Sequence, residues 1–387
     1  MDYRPDEIVK QTMDAINQKI RNMTTLNIIV VGKSGVGKST LINSVFRENL
    51  AETGIGRPVT QSIRRISKAG FPLAIYDTPG FELGKNQQEG VKQEVMKLIK
   101  EGLAGKDVNK AIHCIWYCIN VGSNRTFDSS ELAWLRSFTE ENRATRVPVF
   151  IVLTQGCPKR KAEEMCRLVE AENLDVSKVI PVLAQDMDFD DEYVARAYGL
   201  DTLIAVMGEE LPDELQDTLQ NVQKVSLKSK KKRAQTAVAA AVTAAFGEGF
   251  APVPFADAAM LIPTQITMIA TITAIFGLDV DKSILMGFVS SALGTSGATV
   301  VGRSIATNLL KLVPGAGTVT GGVISGATAG LVTTALGEAY IKLMEQMFLG
   351  TLRAEDLQGE AGKRRFLALF QKQADKKELP DHFQEIE

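Results

Sequence analysis

Hydrophobic and polar positions follow two different patterns along this chain, and the change falls near residue 230. Before that point, short apolar runs are separated by longer segments with one polar face, as in an open parallel sheet with helical crossovers. Beyond it, from Ala234 to about Met347, the chain is rich in Ala, Gly, Thr, Val and Ile, and strand-length alternation disappears. The pattern predicts an α/β domain with a mostly parallel, doubly wound sheet, followed by an all-α helical domain.

The apolar runs place the strands, and the segments with one polar face place the helices. Strands are expected at 26–32, 61–68, 72–77, 111–120, 148–154 and 179–184. Helices are expected near 5–22, 38–47, 88–102, 128–142, 159–173 and 198–211. Because strands and helices alternate regularly, a parallel sheet is expected.

These patterns divide the chain into five segments. They are an N-terminal helix (1–22), an α/β domain (23–215), a basic linker (216–233), a Gly/Ala-rich helical domain (234–350) and a charged C-terminal tail helix (351–387). The linker is marked by a basic run that consists of Lys224, Lys228, Lys230, Lys231, Lys232 and Arg233.

Composition narrows the functional classes. The formal net charge of −2 argues against a protein that binds nucleic acid through bulk charge, so no nucleic acid partner is expected. Four cysteines and two histidines are too few for a metal cluster, and the cysteines are expected to be reduced thiols. The charged N-terminal segment is not that of a signal peptide. A cytoplasmic location is therefore expected.

One segment, GKSGVGKS at 32–39, fits the phosphate-loop pattern G-x-x-x-x-G-K-[S/T] without a mismatch. It follows a strand-like run and opens a helix, so its main-chain N–H groups can converge on phosphate oxygens. In this pattern Lys38 reaches the β- and γ-phosphates, and the Ser39 hydroxyl ligates Mg²⁺. The expected nucleotide-binding residues of this segment are Gly32, Ser34, Gly35, Val36, Gly37, Lys38, Ser39 and Thr40.

Two later segments supply groups that would complete such a site. DTPG at 77–80 follows a strand-like run, and the Asp77 carboxylate at that strand end can hold Mg²⁺. The Gly80 N–H can contact the γ-phosphate. Between the two motifs, Thr60 lies in a loop that could close over the γ-phosphate and place its hydroxyl on the metal.

Taken in order, these motifs resemble those of the Era/septin class of translation-factor-related GTPases. The segment 32–39 is similar to the first motif of that class, Thr60 to the second and 77–80 to the third. DTPG at this spacing favours a GTPase over the ATPases that share the phosphate loop. The resemblance implies a P-loop G domain that binds GTP or GDP with Mg²⁺, with Lys38, Thr60 and Gly80 as catalytic contacts.

The base-reading motifs depart from the family pattern, which is [N/T]-K-x-D after the fifth strand. Here that strand ends in TQGC at 154–157: Thr154 fits, Gln155 replaces Lys, and Cys157 replaces the guanine-reading Asp. Loss of a charge-assisted acceptor predicts weaker discrimination against adenine. In the fifth motif, Ala184 still offers a backbone N–H to the base.

An acidic stretch follows Ala184 and has two interpretations. It contains Asp186, Asp188, Asp190 and Asp191. Either Asp186 or Asp188 replaces the missing carboxylate and accepts from the guanine edge, or the stretch is solvated surface.

Hydrolysis is expected to be slow, because Phe81 stands where many GTPases carry a water-orienting Gln. The resemblance to GTPases with a hydrophobic residue there implies assistance by a homodimer formed across the nucleotide. Gly35 stands where potassium-assisted GTPases have Asn or Asp, which argues against that route. Arg57, three residues before Thr60, matches the offset of the arginine finger in heterotrimeric Gα proteins. It is either a catalytic arginine or an exposed loop residue.

The second half resembles, at 251–265 and 312–317, a poorly characterised helical domain found behind some Era-like GTPases and in some predicted membrane proteins. A shorter match at 276–279 distantly resembles the helical domain of immunity-related GTPases. Asp257 and Gln265 lie on nearly one face of an apolar stretch, either as a functional contact or as a buried hydrogen-bonded pair.

Three uncharged runs in this half, at 258–278, 283–302 and 312–337, approach the ~20 residues that cross a bilayer. The basic run before them could attract an anionic membrane surface. Their dilution by Gly, Thr and Ser, and Pro314 in the third run, fit a soluble helical bundle instead. A third interpretation, between membrane-spanning helices and a soluble bundle, is a soluble protein that associates with membranes peripherally or conditionally.

Three functions remain open at this point. The first is a slow, dimerisation-assisted GTPase whose nucleotide state is coupled to the helical domain. The second is a nucleotide-binding scaffold with negligible turnover, and the third is an NTPase of relaxed base specificity.

Overall fold

The computed structural model describes residues 5–51, 63–79, 85–122, 129–189, 193–248, 261–293, 326–357 and 359–376. The chain divides into two compact units. An α/β unit comprises Met23–Ser226, and a helical unit comprises Met1–Asn22 together with Leu227–Glu387. The expected order of an α/β fold followed by helices is confirmed, except that the first helix belongs to the helical unit.

The α/β unit contains a six-stranded sheet in the order β2-β3-β1-β4-β5-β6. The strands are β1 (Leu26–Gly32), β2 (Arg64–Ser67), β3 (Leu73–Asp77), β4 (Cys114–Asn120), β5 (Val149–Thr154) and β6 (Lys178–Pro181). Only β2 runs antiparallel to its neighbour among these strands, and the other pairings are parallel. The predicted strands are all present, with shifts of a few residues at their ends.

Helices cover both faces of this sheet. They are α2 (Lys38–Val45), α3 (Lys85–Ala104), α4 (Ser129–Asn142), α5 (Lys159–Ala171), α6 (Leu200–Glu210) and α7 (Asp213–Val222). Every residue of β1 is buried, as expected for a parallel strand that is covered on two sides. Ile28 packs on the face with α2, α6 and α7, whereas Ile29 packs on the face with α3, α4 and α5.

A small hairpin lies outside the main sheet and was not predicted. It consists of β7 (Met187–Phe189) and β8 (Tyr193–Ala195), which pair antiparallel. The acidic stretch after Ala184 forms its first strand, and Asp190 and Asp191 lie outside the described residues.

The helical unit is built from α1 (Pro5–Arg21), α8 (Leu227–Glu248), α9 (Leu261–Phe276), α10 (Lys282–Leu293), α11 (Gly326–Phe348), a short 3₁₀ helix (Ala354–Leu357) and α12 (Gly359–Ala374). α8 packs against α9 and α11, α1 against α9 and α10, and α12 against α10 and α11. Small residues allow close helix packing here. A Cβ on Gly337 of α11 would lie 2.6 Å from Val238 of α8 and 2.9 Å from Met268 Sδ of α9.

One segment expected from the sequence, the basic linker, differs from the structure. The supposed linker at 216–233 is mostly helix, because α7 extends to Val222 and α8 begins at Leu227. The segment expected as a charged tail helix, 351–387, contains α12, and Phe366 and Phe370 of α12 are fully buried in the helical core. The segment is rich in charged residues, but its aromatic residues are spaced so that they lie on the buried face of the helix.

The basic run is also not one continuous charged surface. Lys230 is completely buried, and its Nζ donates to the main-chain oxygens of Ile275 (3.1 Å) and Phe276 (3.0 Å) at the C-terminal end of α9. Its ammonium lies 5.5 Å from the ring centre of Phe348. Lys230 therefore caps a helix, since a cation is favourable beside the last carbonyls of a helix.

Within the described parts of the chain, no helix has both the length and the apolar character needed to span a membrane. The uncharged runs are represented there by α9, α10 and α11. Gln265 of α9 is buried, and Asp257, its expected partner, lies outside the described residues.

Candidate nucleotide site

The phosphate loop (residues 32–39) connects the carboxyl end of the central strand β1 to the first turn of α2. Gly35 and Gly37 have positive φ angles of 71° and 97°, and Gly37 is the N-cap residue of α2. A Cβ on Gly32 would lie 2.5 Å from the Cys118 oxygen of β4. These positions require glycine, since other residues would be strained or would clash.

Lys38 is anchored on the loop that precedes it. Its Nζ donates to the Gly32 oxygen at 2.9 Å and to the Lys33 oxygen at 3.1 Å. These bonds hold the ammonium against the main chain of the loop, where the helix N-terminus also favours an anion. The local geometry is therefore suited to phosphate.

Asp77 lies at the end of β3, opposite Val30 of β1 in the sheet register. Burial raises the pKa of the Cys118 thiol to about 12, the Lys38 cation lowers it, and the Asp77 carboxylate raises it further. Asp77 pairs with Val30, two residues before Gly32, whose oxygen accepts from Lys38, so the two charged residues belong to the same end of the sheet. The sheet thus brings together two residues that are 39 positions apart in the chain.

The oxygen groups of this region fit a hard divalent cation. Ser39 lies in the first turn of α2, and Asp77 supplies a carboxylate at the neighbouring strand end. Hydroxyl and carboxylate oxygens are ligands that suit Mg²⁺, which usually takes its remaining ligands from phosphates and water. In the part of the chain that the structure describes, no cluster of three or more His, Cys, Asp or Glu side chains could hold a metal by itself.

The end of β5 supports the phosphate loop from the other side. The Thr154 hydroxyl donates to the Val36 oxygen and lies 3.1 Å from the Ile119 oxygen. Gln155 adopts a positive φ of 52°, and its Nε2 donates to the Gly35 oxygen at 3.0 Å. The structure therefore places both predicted fourth-motif residues on the phosphate loop.

Tyr198 was missed in the sequence, although it joins the loops of the fourth and fifth motifs. Its hydroxyl donates to the Gly156 oxygen at 2.6 Å, and its main chain pairs with Leu183 in both directions. Burial raises the pKa of the Tyr198 phenol to about 12, and Cys157 and Glu163 raise it further, so the phenol stays protonated and able to donate. Its partner Gly156 lies 42 positions earlier in the chain, so no local pattern gave a signal for this role.

Asp186 has a structural role in the hairpin. Its Oδ1 accepts from the Ala197 N–H at 2.7 Å, and its Oδ2 accepts from Arg196 at 2.6 Å. The Ala197 N–H first, and then Arg196, hold the pKa of the Asp186 carboxyl below its usual range. Because both oxygens of Asp186 accept hydrogen bonds within the hairpin region, the geometry does not support the hypothesis that Asp186 reads guanine. Asp188 is exposed on β7.

A cavity of ≈ 640 Å³ opens beside Ala184. It is lined on the helix side by Asn43, whose Oδ1 accepts from the N–H groups of Leu50 and Ala51 at 3.0 Å each. Lys224 also lines the cavity and donates to the main-chain oxygen of Asn43 at 2.6 Å. Space therefore exists between α2 and the fifth-motif loop, next to the Ala184 position expected to face the base.

Four predicted residues lie outside the described parts of the chain. They are Arg57, Thr60, Gly80 and Phe81. Their roles remain predictions.

A phosphate loop after the central strand, an acid at the adjacent strand end and the strand order of the sheet together define a P-loop domain of the GTPase type. Residues 27–155 match the family model described as "50S ribosome-binding GTPase". Residues 209–364 match the one described as "Domain of unknown function (DUF697)". Residues 27–155 thus form a P-loop GTPase domain of that family, and a DUF697 domain follows. The resemblances to Era-like GTPases and to a poorly characterised helical domain are confirmed at this level.

Many curated proteins resemble part of this chain, and two of them serve as examples. Ribosome biogenesis GTPase A of Bacillus pumilus is 32% identical over 99 residues, which is 25% of this chain and 35% of the relative. GTP-binding protein A of Dictyostelium discoideum is 33% identical over 135 residues, which is 34% of this chain and 27% of the relative. The chain thus spans about a third of the length of the curated relatives it matches.

Among solved structures, Toc33 from Arabidopsis thaliana in complex with Mg²⁺ and GMPPNP is 20% identical. The match covers 52% of this chain and 91% of that chain, with a TM-score of 0.31. A likeness of this size supports no conclusion about what this chain binds.

Proposed function

We propose that this chain binds GTP and GDP with Mg²⁺ and hydrolyses GTP slowly. The observation that carries the proposal is the position of Lys38, which is held on two loop carbonyls at the end of the sheet where Asp77 closes the neighbouring strand. A cation, converging N–H groups and a nearby metal-binding carboxylate are the groups that a nucleoside triphosphate needs.

Magnesium would be held by Ser39 and Asp77, with Thr60 as a third ligand by resemblance to the family. When bound, the metal neutralises charge on the β- and γ-phosphates. The chain itself supplies the loop N–H groups and Lys38 for phosphate binding. Thr154 and Gln155 keep the loop in place, because they bond to its carbonyl oxygens.

Nucleotide binding is tested directly on nucleotide-free full chain by fluorescence titration with labelled GTP, followed by competition with GTP, GDP and ATP. Lys38→Ala is the loss-of-binding variant. Lys100→Ala, at an exposed lysine that pairs with Glu141, is the matched control. The proposal fails if wild type binds no nucleotide, or if Lys38→Ala binds as well as Lys100→Ala.

Hydrolysis is proposed to be slow in the monomer and faster in a homodimer formed across the nucleotide, because Phe81 cannot orient water. Phosphate release should be measured per molecule across a wide range of protein concentrations. Specific activity that rises with concentration supports the dimer. No activity at any concentration would favour a nucleotide-binding scaffold instead.

A second candidate function is nucleotide binding with relaxed base choice. It is favoured by Cys157, which removes the usual acceptor, and by the Asp186 carboxylate, whose oxygens are bonded within the hairpin. Cys157→Asp should then raise the ratio of GTP affinity to ATP affinity. Asp188→Asn should lower that ratio only if Asp188 reads guanine.

Coupling to the helical unit and contact with a membrane surface are proposed as further parts of this function. The two units are joined by two chain connections, after Asn22 and after Ser226.

The proposed membrane contact rests on exposed lysines. Lys228 and Lys232 are exposed on α8, whereas Lys230 is buried. Replacing Lys228 and Lys232 by Gln should reduce flotation with anionic vesicles at low salt. Flotation that responds to neither the substitutions nor salt argues against this charge-based contact.

A further inference from the structure

A buried carboxylate lies beside the phosphate loop and has no place in the motifs described above. Glu131 of α4 is 6% exposed. Its Oε2 lies 2.7 Å from Lys33 Nζ, and its Oε1 accepts from the Tyr117 hydroxyl at 3.0 Å. The carboxylate therefore joins α4 to β4 and to the second residue of the loop.

Lys33 is bonded at both its main chain and its side chain. Its carbonyl oxygen accepts from Lys38 Nζ at 3.1 Å, while its ammonium pairs with Glu131. The position of the Lys33 backbone therefore affects where Lys38 is held. A pair between a charged donor and a charged acceptor, enclosed on one side, is stronger than an exposed ion pair.

α4 provides a fixed support for this contact. The Tyr117 ring stacks on Trp134 with ring centres 5.6 Å apart, and Tyr117 pairs with Val31 in the sheet. Trp134 Nε1 donates to the Gln88 oxygen of α3 at 3.1 Å. Glu131 is thus attached to a helix that is held against both the sheet and α3.

We infer that Glu131 is a positioning residue for the phosphate loop, acting on Lys38 through Lys33. It fixes the loop main chain in the arrangement that places the Lys38 ammonium on the Gly32 and Lys33 carbonyls. The effect on nucleotide affinity rests on the proposed function, but the effect on the loop does not.

The first test is hydrogen exchange in nucleotide-free full chain, followed in peptides that cover residues 32–38. Glu131→Gln keeps an acceptor for Tyr117 and removes the charge that holds Lys33. Lys33→Met removes the other end of the pair at a side chain that is 28% exposed, so it provides a second variant if Glu131→Gln folds poorly. Each should speed exchange in these peptides about threefold or more.

Glu141→Gln is the matched control, since Glu141 lies on the same helix and forms an exposed pair with Lys100. It should leave exchange at 32–38 unchanged. The inference is overturned if the folded Lys33→Met and Glu131→Gln proteins exchange this loop at the wild-type rate.

The second test is a double-mutant cycle on nucleotide affinity, with thermal unfolding measured in parallel. Each single substitution should weaken binding about fivefold, and the double variant should be no weaker than the worse single variant. Losses that multiply in the double variant would show that the two residues act independently, and affinities equal to wild type alongside lowered unfolding temperatures would show a purely structural pair; either result contradicts the positioning role. If wild type binds no nucleotide, the proposed function fails while the exchange experiment still decides this inference.

Discussion

The phosphate loop and the C-terminal end of α9 both hold a lysine ammonium on two main-chain carbonyl oxygens. Lys38 donates to Gly32 and Lys33 at 2.9 and 3.1 Å, and Lys230 donates to Ile275 and Phe276 at 3.1 and 3.0 Å. Their surroundings differ. Lys38 is only partly buried and lies in the glycine loop that follows the central strand β1. Lys230, by contrast, is completely buried and lies near the Phe348 ring.

The difference shows that the donor pattern alone does not identify a binding site. At α9 the carbonyls are the terminal acceptors of a helix, and a buried cation satisfies them. At the phosphate loop, positive φ angles turn the main chain so that the loop and the start of α2 can also face an anion. The same chemical contact therefore caps a helix in one unit and belongs to the proposed nucleotide site in the other.

The largest expected effect is a loss of GTP affinity on substitution of Lys38, which substitution of Lys230 should not produce. Lys38→Ala should weaken GTP binding at least about 100-fold, which is about 2.7 kcal/mol, because the phosphate loses its cation. Lys230→Ala should change the affinity of the folded protein far less. Titration of both variants checks this, and equal losses would remove the distinction drawn between them.

The next effect is a loss of folding stability on substitution of Lys230, the buried lysine of the helical unit. Lys230→Met should lower the free energy of unfolding by about 2–3 kcal/mol, because two buried carbonyl groups lose a charged donor. Far-UV circular dichroism during denaturation measures the helices. Both tryptophans, Trp116 and Trp134, lie in the α/β unit, so their fluorescence reports that unit separately.

Lys228→Met is the control for that experiment, since Lys228 is exposed two residues earlier on α8. It should leave the dichroism transition nearly unchanged. Equal transitions for the two variants would mean that the Lys230 cap contributes little.

A smaller effect tests how firmly the loop must be held for Lys38 to act. Thr154→Val keeps the side-chain shape and removes the hydroxyl that donates to the Val36 oxygen. Binding should weaken by about 1 kcal/mol, or about fivefold. Thr243→Val, which removes an exposed hydroxyl on α8, is the control. Unaltered affinity in Thr154→Val would show that the loop keeps its shape without β5.

The smallest expected effect concerns the exposed contact to the same loop. Gln155→Ala removes the bond from Nε2 to the Gly35 oxygen and should weaken binding about twofold. The same titration measures it. A loss larger than that of Thr154→Val would indicate that Gln155 also contacts the nucleotide.

The sequence predicted the α/β unit well because its signals are local. The strand β1 matches the expected 26–32, since an apolar run bounded by polar residues and a glycine loop allows few other readings. The positions of Gly32, Lys38 and Asp77 follow from a motif whose geometry depends on the backbone. The hairpin at 187–195 was missed because three-residue strands leave no periodic pattern.

The helical unit was harder to predict because its key contacts join distant segments. Nothing in the run around Lys230 shows that this lysine alone is enclosed, since its acceptors lie about 45 positions later. Glu131 was missed for the same reason: its partners Lys33 and Tyr117 are separated in the chain and meet only in the folded sheet. Composition gave no sign of either contact.

The two chain connections have a consequence for how the protein can be divided. The Thr218 hydroxyl donates to the Thr24 oxygen at 2.9 Å, so the start of the α/β unit lies against its last helix, α7. The α/β unit is one uninterrupted insertion within a helical unit assembled from two separate pieces of chain. Trimming residues 1–22 leaves β1 whole but removes Ile8 and Val9 from the core of the other unit. Excising 23–226 and joining the flanking ends, by contrast, keeps every described helix of that core on one shorter polypeptide.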